Sequence, residues 1–268
     1  MLVVIKGAGD LASGVALRLV RAGFSVVMTD LPKPTSIRRT ICFSEALVKG
    51  ETTVEGIVAR RAEDAAQAEE ILKRGEIPVL PDSDAKIIQS LHPPGVVDGI
   101  LAKKNLGTRI QDAHVVIALG PGFTAGKDCH AVVETMRGHM LGRVYYEGSA
   151  IPNTGIPGNI GGFTIERLIR APKAGIFTPL CQIGDQVEAG QMVARVDDEP
   201  VLASISGVLR GILPDGTEVF EGMKSGDVDP RCKPEYCHLV SDKALAIAGG
   251  VLEAIGHCLK GEAVWSRM

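Results

Sequence analysis

Leu2-Val3-Val4-Ile5-Lys6-Gly7-Ala8-Gly9-Asp10-Leu11-Ala12 opens the chain, and Phe24-Ser25-Val26-Val27-Met28-Thr29-Asp30 follows it. The first apolar run reads as a strand buried on both faces. Leu11, Val15 and Leu19 then recur at helical spacing up to Gly23, and a second strand-like run ends at Asp30. Strand, glycine turn, helix, strand and acid stand in the order of a βαβ unit. Gly7 and Gly9 permit a tight turn and the close approach of a pyrophosphate. The helix start at Asp10–Ala12 offers it free N–H groups, and Asp30 is placed to accept ribose hydroxyls. The carboxylate of Asp10 would have to turn away from such an anion.

Working outward, strand-like runs recur at Val54–Ala59, Ile77–Leu80, Val96–Leu101 and His114–Leu119. Helix-like runs fall at Ala62–Arg74 and Asp84–Leu91. The expected fold class is α/β, a Rossmann-like and mostly parallel sheet. Gly120-Pro121-Gly122-Phe123-Thr124-Ala125-Gly126-Lys127 follows the His114 strand. Gly120, Gly122 and Gly126 free the backbone to form an anion nest, and Lys127 adds a point charge. Asp128 stands where a phosphate-binding loop of the G-x-x-x-x-G-K-[ST] type needs Ser or Thr. Arg38-Arg39, after the second strand, offers two guanidiniums for phosphate, with a solvated loop as the equal alternative.

The chain has 268 residues, a formal net charge of −3 and 45% hydrophobic residues. Such a chain has ample apolar mass for a core, and the weakly acidic balance argues against a general nucleic-acid binder. Neither an export signal nor a run of about 18 apolar residues is evident, so a cytoplasmic protein without a membrane partner is expected. Six scattered cysteines then read as reduced thiols. Cys42 and Cys129 are the candidate nucleophiles, although a buried structural thiol is the simpler reading of Cys129. Cys232, Cys237 and His238 lack a fourth partner, and no metal site is expected.

Gly175, Gly184, Val187 and Gly190 recur as Gly207, Gly216, Val219 and Gly222, each 32 residues later. Two such halves could close into a small barrel. The segment resembles the biotinyl/lipoyl hammerhead domain, which would be inserted in the α/β part. Carrier domains of that kind need a modifiable lysine between the halves, and none stands between Lys173 and Lys224. The barrel is therefore read as a structural or docking module. The expected organisation is an α/β domain over 1–170, the barrel over 171–228, and a C-terminal helix over 229–268 packing back on the α/β domain.

Further phrases extend the pattern: Lys6–Gly14, Gly120–His130, Gly226-Asp227-Val228-Asp229-Pro230-Arg231 and Ser241-Asp242-Lys243-Ala244-Leu245-Ala246. Together they resemble the selenium-dependent molybdenum hydroxylase accessory family of YqeB type, over nearly the whole chain. The α/β part is more distantly similar to XdhC-type molybdenum cofactor chaperones. The resemblance implies a maturation factor whose partner is a molybdenum hydroxylase apoenzyme. Gly7, Gly9, Asp10, Ala12, Asp30, Arg38, Arg39, Gly120, Gly122, Gly126 and Lys127 would then bind one small anionic cofactor, a molybdenum pterin or NAD(P). Cys42 or Cys129 would assist sulfur or selenium transfer. An NAD-dependent oxidoreductase and a non-catalytic scaffold stay open as alternatives, as does a homo-oligomer.

Overall fold

The computed structural model describes residues 1–259, which divide into two units. The first takes Met1–Pro34, Phe43–Asn153 and the chain from Val240; the second takes Thr35–Cys42 and Thr154–Leu239.

In the first unit the opening stretch forms β1 (Leu2–Lys6), α1 (Asp10–Arg21) and β2 (Ser25–Thr29), with β1 and β2 parallel. Next come α2 (Glu45–Lys49), β3 (Glu51–Val54), β4 (Ile57–Arg61), α3 (Ala65–Lys73), β5 (Ile77–Leu80), α4 (Ile87–Leu91) and β6 (Gly95–Asp98). β7 (Val115–Leu119), β8 (Ala131–Val133) and β9 (Val144–Tyr145) complete a nine-stranded sheet, and α5 (Asp242–Cys258) closes the unit. The single strand expected at Val54–Ala59 is instead the turn of the β3–β4 hairpin. Glu55 and Gly56 both take positive φ (45° and 85°) there, the geometry a two-residue hairpin turn needs.

The sheet runs β3-β4-β5-β2-β1-β6-β7-β8-β9, with β3 and β9 antiparallel to their neighbours. Val4, Val27, Val96 and Val116 share one buried cluster with Ala68 and Ile71 of α3 and Ile87 of α4. Full burial of each such aliphatic side chain is worth roughly 1.5–3 kcal/mol. α1 and α5 pack on each other through small residues. A Cβ on Gly14 would come within 2.6 Å of the Cβ of Ala244. The apolar face of α5 is Ala244, Ile247, Ala248, Val251 and Ala254, together with Ile255. Leu245 and Leu252 are half-buried and Gly249 is exposed, because close helix approach selects alanine and glycine over leucine.

The second unit holds β10 (Leu168–Arg170), β11 (Gly175–Pro179), β12 (Gln186–Val187), β13 (Met192–Val196), β14 (Glu199–Leu202), β15 (Gly207–Ile212), β16 (Thr217–Val219) and β17 (Lys224–Asp229). They form two four-stranded antiparallel sheets, β10-β17-β15-β12 and β14-β13-β11-β16. Phe177, Val193 and Val196 of one sheet share a core with Ile169, Leu209 and Val228 of the other. The 32-residue repeat is visible in the register: Gly175 pairs with Val219, and Val187 pairs with Gly207.

This topology overturns the expected fold class of a Rossmann-like sheet with a biotinyl/lipoyl barrel. In the large sheet β5, not β4, lies beside β2, and both edges are antiparallel hairpin strands. The crossovers from β6 to β7 and from β7 to β8 use a 3-10 turn at Ile110–Asp112 and a glycine loop over 120–130, where a doubly wound fold would use helices. The repeat halves make two separate sheets rather than one closed barrel, because β10 extends one of them through β17. The unit boundaries differ from 170 and 228 for the same reason. Leu168–Arg170 is a strand of the second unit, and the Ile37 carbonyl there accepts the N–H of Ile212 (2.9 Å). Among the described residues no helix is long and apolar enough to cross a membrane.

Candidate functional site

Three loops meet at the carboxyl ends of β1, β6 and β7. The first is the Gly7–Gly9 turn. Gly7 takes φ +94°, and a Cβ there would lie 2.9 Å from the Gly99 carbonyl oxygen, so both conformation and space require glycine. Asp30 Oδ2 accepts the Ala8 N–H at 2.7 Å, and Oδ1 accepts the Leu31 N–H at 2.7 Å. The Ala8 carbonyl accepts from Ser13 Oγ and from the Ser44 N–H. Burial raises the Asp30 pKa against the lowering effect of its two backbone donors. Asp30 therefore braces the turn as well as standing beside it. Asp10 and Ala12 begin α1, with Ala12 buried.

The second loop, Gly99–Thr108, escaped the sequence reading. It is anchored from below by three buried polar side chains. Lys6 Nζ donates to Thr108 Oγ1 (2.6 Å), Thr108 Oγ1 donates to Asp98 Oδ2 (2.5 Å), and Lys6 stands 3.7 Å from Asp98 Oδ2. All three are at most 4% exposed. Lys6 sits at the end of an apolar strand and Asp98 at the end of another, so adjacent parallel strands align the charges at their shared edge. The only sequence signal was a charged residue at or inside each apolar run, Lys6 after Leu2–Ile5 and Asp98 within Val96–Leu101.

The third loop carries Gly120, Gly122, Gly126 and Lys127. Gly122 takes φ +110°, and a Cβ there would lie 2.7 Å from the Cα and N of Lys104, so this loop lies directly against the second. Asp128 Oδ2 accepts the Thr124 N–H (2.8 Å), which explains an acid where a phosphate loop has a hydroxyl. Lys127 is exposed. Beside this loop, the buried Glu134 accepts the N–H groups of Thr135, Met136 and Ile151, fixing the chain after β8.

Arg38 and Arg39 belong to the second unit. Arg38 is buried and donates to the carbonyls of Tyr236 and Leu239, and Arg39 donates to that of Ile212. These guanidiniums hold backbone of their own unit. The two candidate nucleophiles are both fully buried. Burial pushes the Cys129 thiol up to about 12, so it is a neutral core thiol rather than an activated one. The Gly226–Arg231 phrase builds an alternating ion chain, Arg167–Asp227–Arg210–Asp229–Arg231. A hollow of about 470 Å³ lined by Arg60, Arg61 and Arg74 lies on β4 and α3, but Glu51, Glu63 and Glu76 pair with those arginines.

What the first unit defines is a parallel-sheet edge where three glycine-bearing loops meet, two of them carrying exposed lysines. In sequence, the chain is 55% identical over 254 residues to the uncharacterized protein YqeB of Escherichia coli K12, a level that makes the two homologous. The match covers 95% of this chain and 47% of the relative, so the chain spans about half the length of the curated relative it matches. No protein-family model matches the chain. Among solved structures it aligns with an aspartoacylase family protein from Mesorhizobium loti (9% identity, TM-score 0.26, covering 85% of this chain and 84% of that one). It also aligns with a succinylglutamate desuccinylase/aspartoacylase from Rhodobacter sphaeroides (11%, TM-score 0.27, 84% and 86%). Scores this low carry no argument about fold or activity.

Proposed function

We propose that the protein is an accessory factor that holds an anionic cofactor, a nucleotide or a molybdenum pterin, for delivery to a selenium-dependent molybdenum hydroxylase. The observation that carries the ligand class is the meeting of the Gly7, Gly99 and Gly122 loops at one sheet edge. Open sheets bind ligands outside the carboxyl ends of their strands, and backbone N–H groups with lysines suit phosphate oxygens. The pathway rests on the sequence resemblance of the Lys6–Gly14, Gly120–His130 and Gly226–Arg231 phrases.

The cofactor is cargo here. The exposed Lys103, Lys104 and Lys127 on these loops support the reading of a phosphate end there, whereas the buried Cys42 and Cys129 do not fit as direct acceptors of sulfur or selenium. The oxidoreductase alternative relied on Asp30 as a ribose acceptor, and that carboxylate already accepts two backbone N–H groups.

The test is a chromosomal deletion in a host that makes the hydroxylase. Its molybdenum content and activity should fall together, while unrelated molybdenum enzymes keep theirs. A fully loaded and active hydroxylase in the deletion strain would refute the proposal.

A further inference from the structure

The fold holds ten residues, Gly99–Thr108, in a preset shape. At the start, the Gly99 N–H donates to the Lys6 carbonyl (2.8 Å) and the Ile100 N–H to Asp98 Oδ1 (3.2 Å). At the end, Thr108 is held by Asp98 and Lys6 beneath it. Asn105 closes the return: its Oδ1 accepts the N–H groups of Gly107 and Thr108, and its Nδ2 donates to the Thr108 carbonyl. Every anchor therefore lies at the base, and the tip is Leu101–Lys104.

That tip is strained. Leu101 and Lys103 take φ of 61° and 63°, although neither is glycine. Non-glycine residues rarely take this region and persist there where the surroundings over-determine them. The strain sits against the glycine edge of the neighbouring loop, since Gly122 could not carry a Cβ without meeting Lys103 and Lys104 backbone. Lys103 and Lys104 are both exposed, and no hydrogen bond or ion pair engages either side chain among the described residues. Nearby protein mass still withdraws water from the Lys103 ammonium and lowers its pKa, with no carboxylate to offset it. A loop anchored by buried charge at its base thus presents at its tip two residues of positive φ and two exposed lysines, with the tip backbone against Gly122.

We infer that the Gly99–Thr108 loop is a phosphate clamp in which Lys103 and Lys104, presented beside the Gly120–Gly122 turn, carry the charge that recognises a phosphate or pyrophosphate group. The inference deepens the proposed function and rests on it only for the anionic nature of the cargo. Neutralising a dianion in a preorganised loop costs no ordering of that loop at the moment of binding.

The test uses the full chain and pyridoxal 5′-phosphate, an aldehyde that carries its own phosphate. The neutral amine of a lysine condenses with the aldehyde and releases water, and borohydride then delivers hydride to the C=N bond. Peptide mass spectrometry reads which lysine carries the mark. Lys103 should be marked severalfold faster than the exposed Lys33 and Lys86, because the clamp holds the reagent's phosphate beside its amine. Pyrophosphate should protect Lys103 and leave Lys33 and Lys86 unchanged. Calorimetry with pyrophosphate should show a loss of about tenfold or more in affinity in Lys103→Met and Lys104→Met, with thermal midpoints unchanged. Equal marking of all three lysines, or marking that pyrophosphate does not slow, would overturn the clamp. Neither readout involves a hydroxylase, so failure of the delivery proposal would be seen separately.

Discussion

The carboxylate of Asp30, at the end of β2, accepts the backbone N–H of Ala8 in the Gly7–Gly9 turn at 2.7 Å. A turn that reads as an anion cradle thus contains an anion of its own. Asp30→Ala leaves the buried Ala8 without its acceptor and should cost about 1–3 kcal/mol in urea unfolding. Asp30→Asn keeps an oxygen for that N–H. Burial raises the Asp30 pKa above 3.8, so the folded state favours its protonated form. That contribution is present below the unfolded value and lost as pH rises through the folded one. The Asn variant turns an NH2 toward the Leu31 N–H but carries no charge to desolvate, so its cost relative to the parent should be smaller at pH 7 than toward pH 4.

Arg210 bridges Asp227 and Asp229 inside the second unit, where both carboxylates are 1% exposed. Arg210→Ala leaves two buried carboxylates short of a partner and should cost about 3–5 kcal/mol. Amide exchange should rise first in β15 and β17. Burial alone would raise the Asp229 pKa, but hydrogen bonds from the Arg231 side chain and backbone, with the charges of Arg210 and Arg231, hold it lowered. Its stabilising contribution is present above 3.8 and lost as pH falls through the folded value, so acid should loosen this unit.

Thiol labelling should separate the cysteines sharply. Cys232 is exposed, whereas Cys42 and Cys129 are buried. Iodoacetamide at pH 8 should mark Cys232 within minutes and reach Cys42 and Cys129 only at the rate of unfolding. Rapid native labelling of Cys129 would contradict its placement in the core.

Gly122 and Gly126 take similar positive φ, but only at Gly122 would a Cβ meet backbone. Gly126→Ala should cost only the conformational penalty, roughly 1–3 kcal/mol. Gly122→Ala must also displace Lys103–Lys104, so it should cost more and weaken pyrophosphate binding. Equal effects of the two substitutions in both assays would argue against contact between the loops.

Much of the local structure was legible because periodicity reports burial directly. Ile77–Leu80 is a strand as read, and Leu2–Thr29 is the expected βαβ unit. Strand order was not legible, because nothing in β4 or β5 states which of them pairs with β2. Closure failed similarly: the repeat fixes Gly175 and Gly207 as points of close approach, yet the sheet edges depend on Leu168–Arg170, outside the repeat. The glycines of the site stood out because φ and close approach demand them. Lys6, Asp98 and Thr108 did not, since only the sheet brings residues a hundred positions apart together. Arg38-Arg39 read equally as a phosphate clamp and as a solvated loop because sequence cannot show a guanidinium already held by carbonyls.

The most direct test of the account is native mass spectrometry of the chain purified from cells that make the molybdenum pterin, run beside Lys103→Met/Lys104→Met. The account predicts a noncovalent mass increment matching a phosphorylated pterin or its dinucleotide on the parent chain, displaced by pyrophosphate and lost in the double variant. A parent chain that stays free of any phosphorylated ligand, when offered the cofactor extract at micromolar concentration, would contradict it.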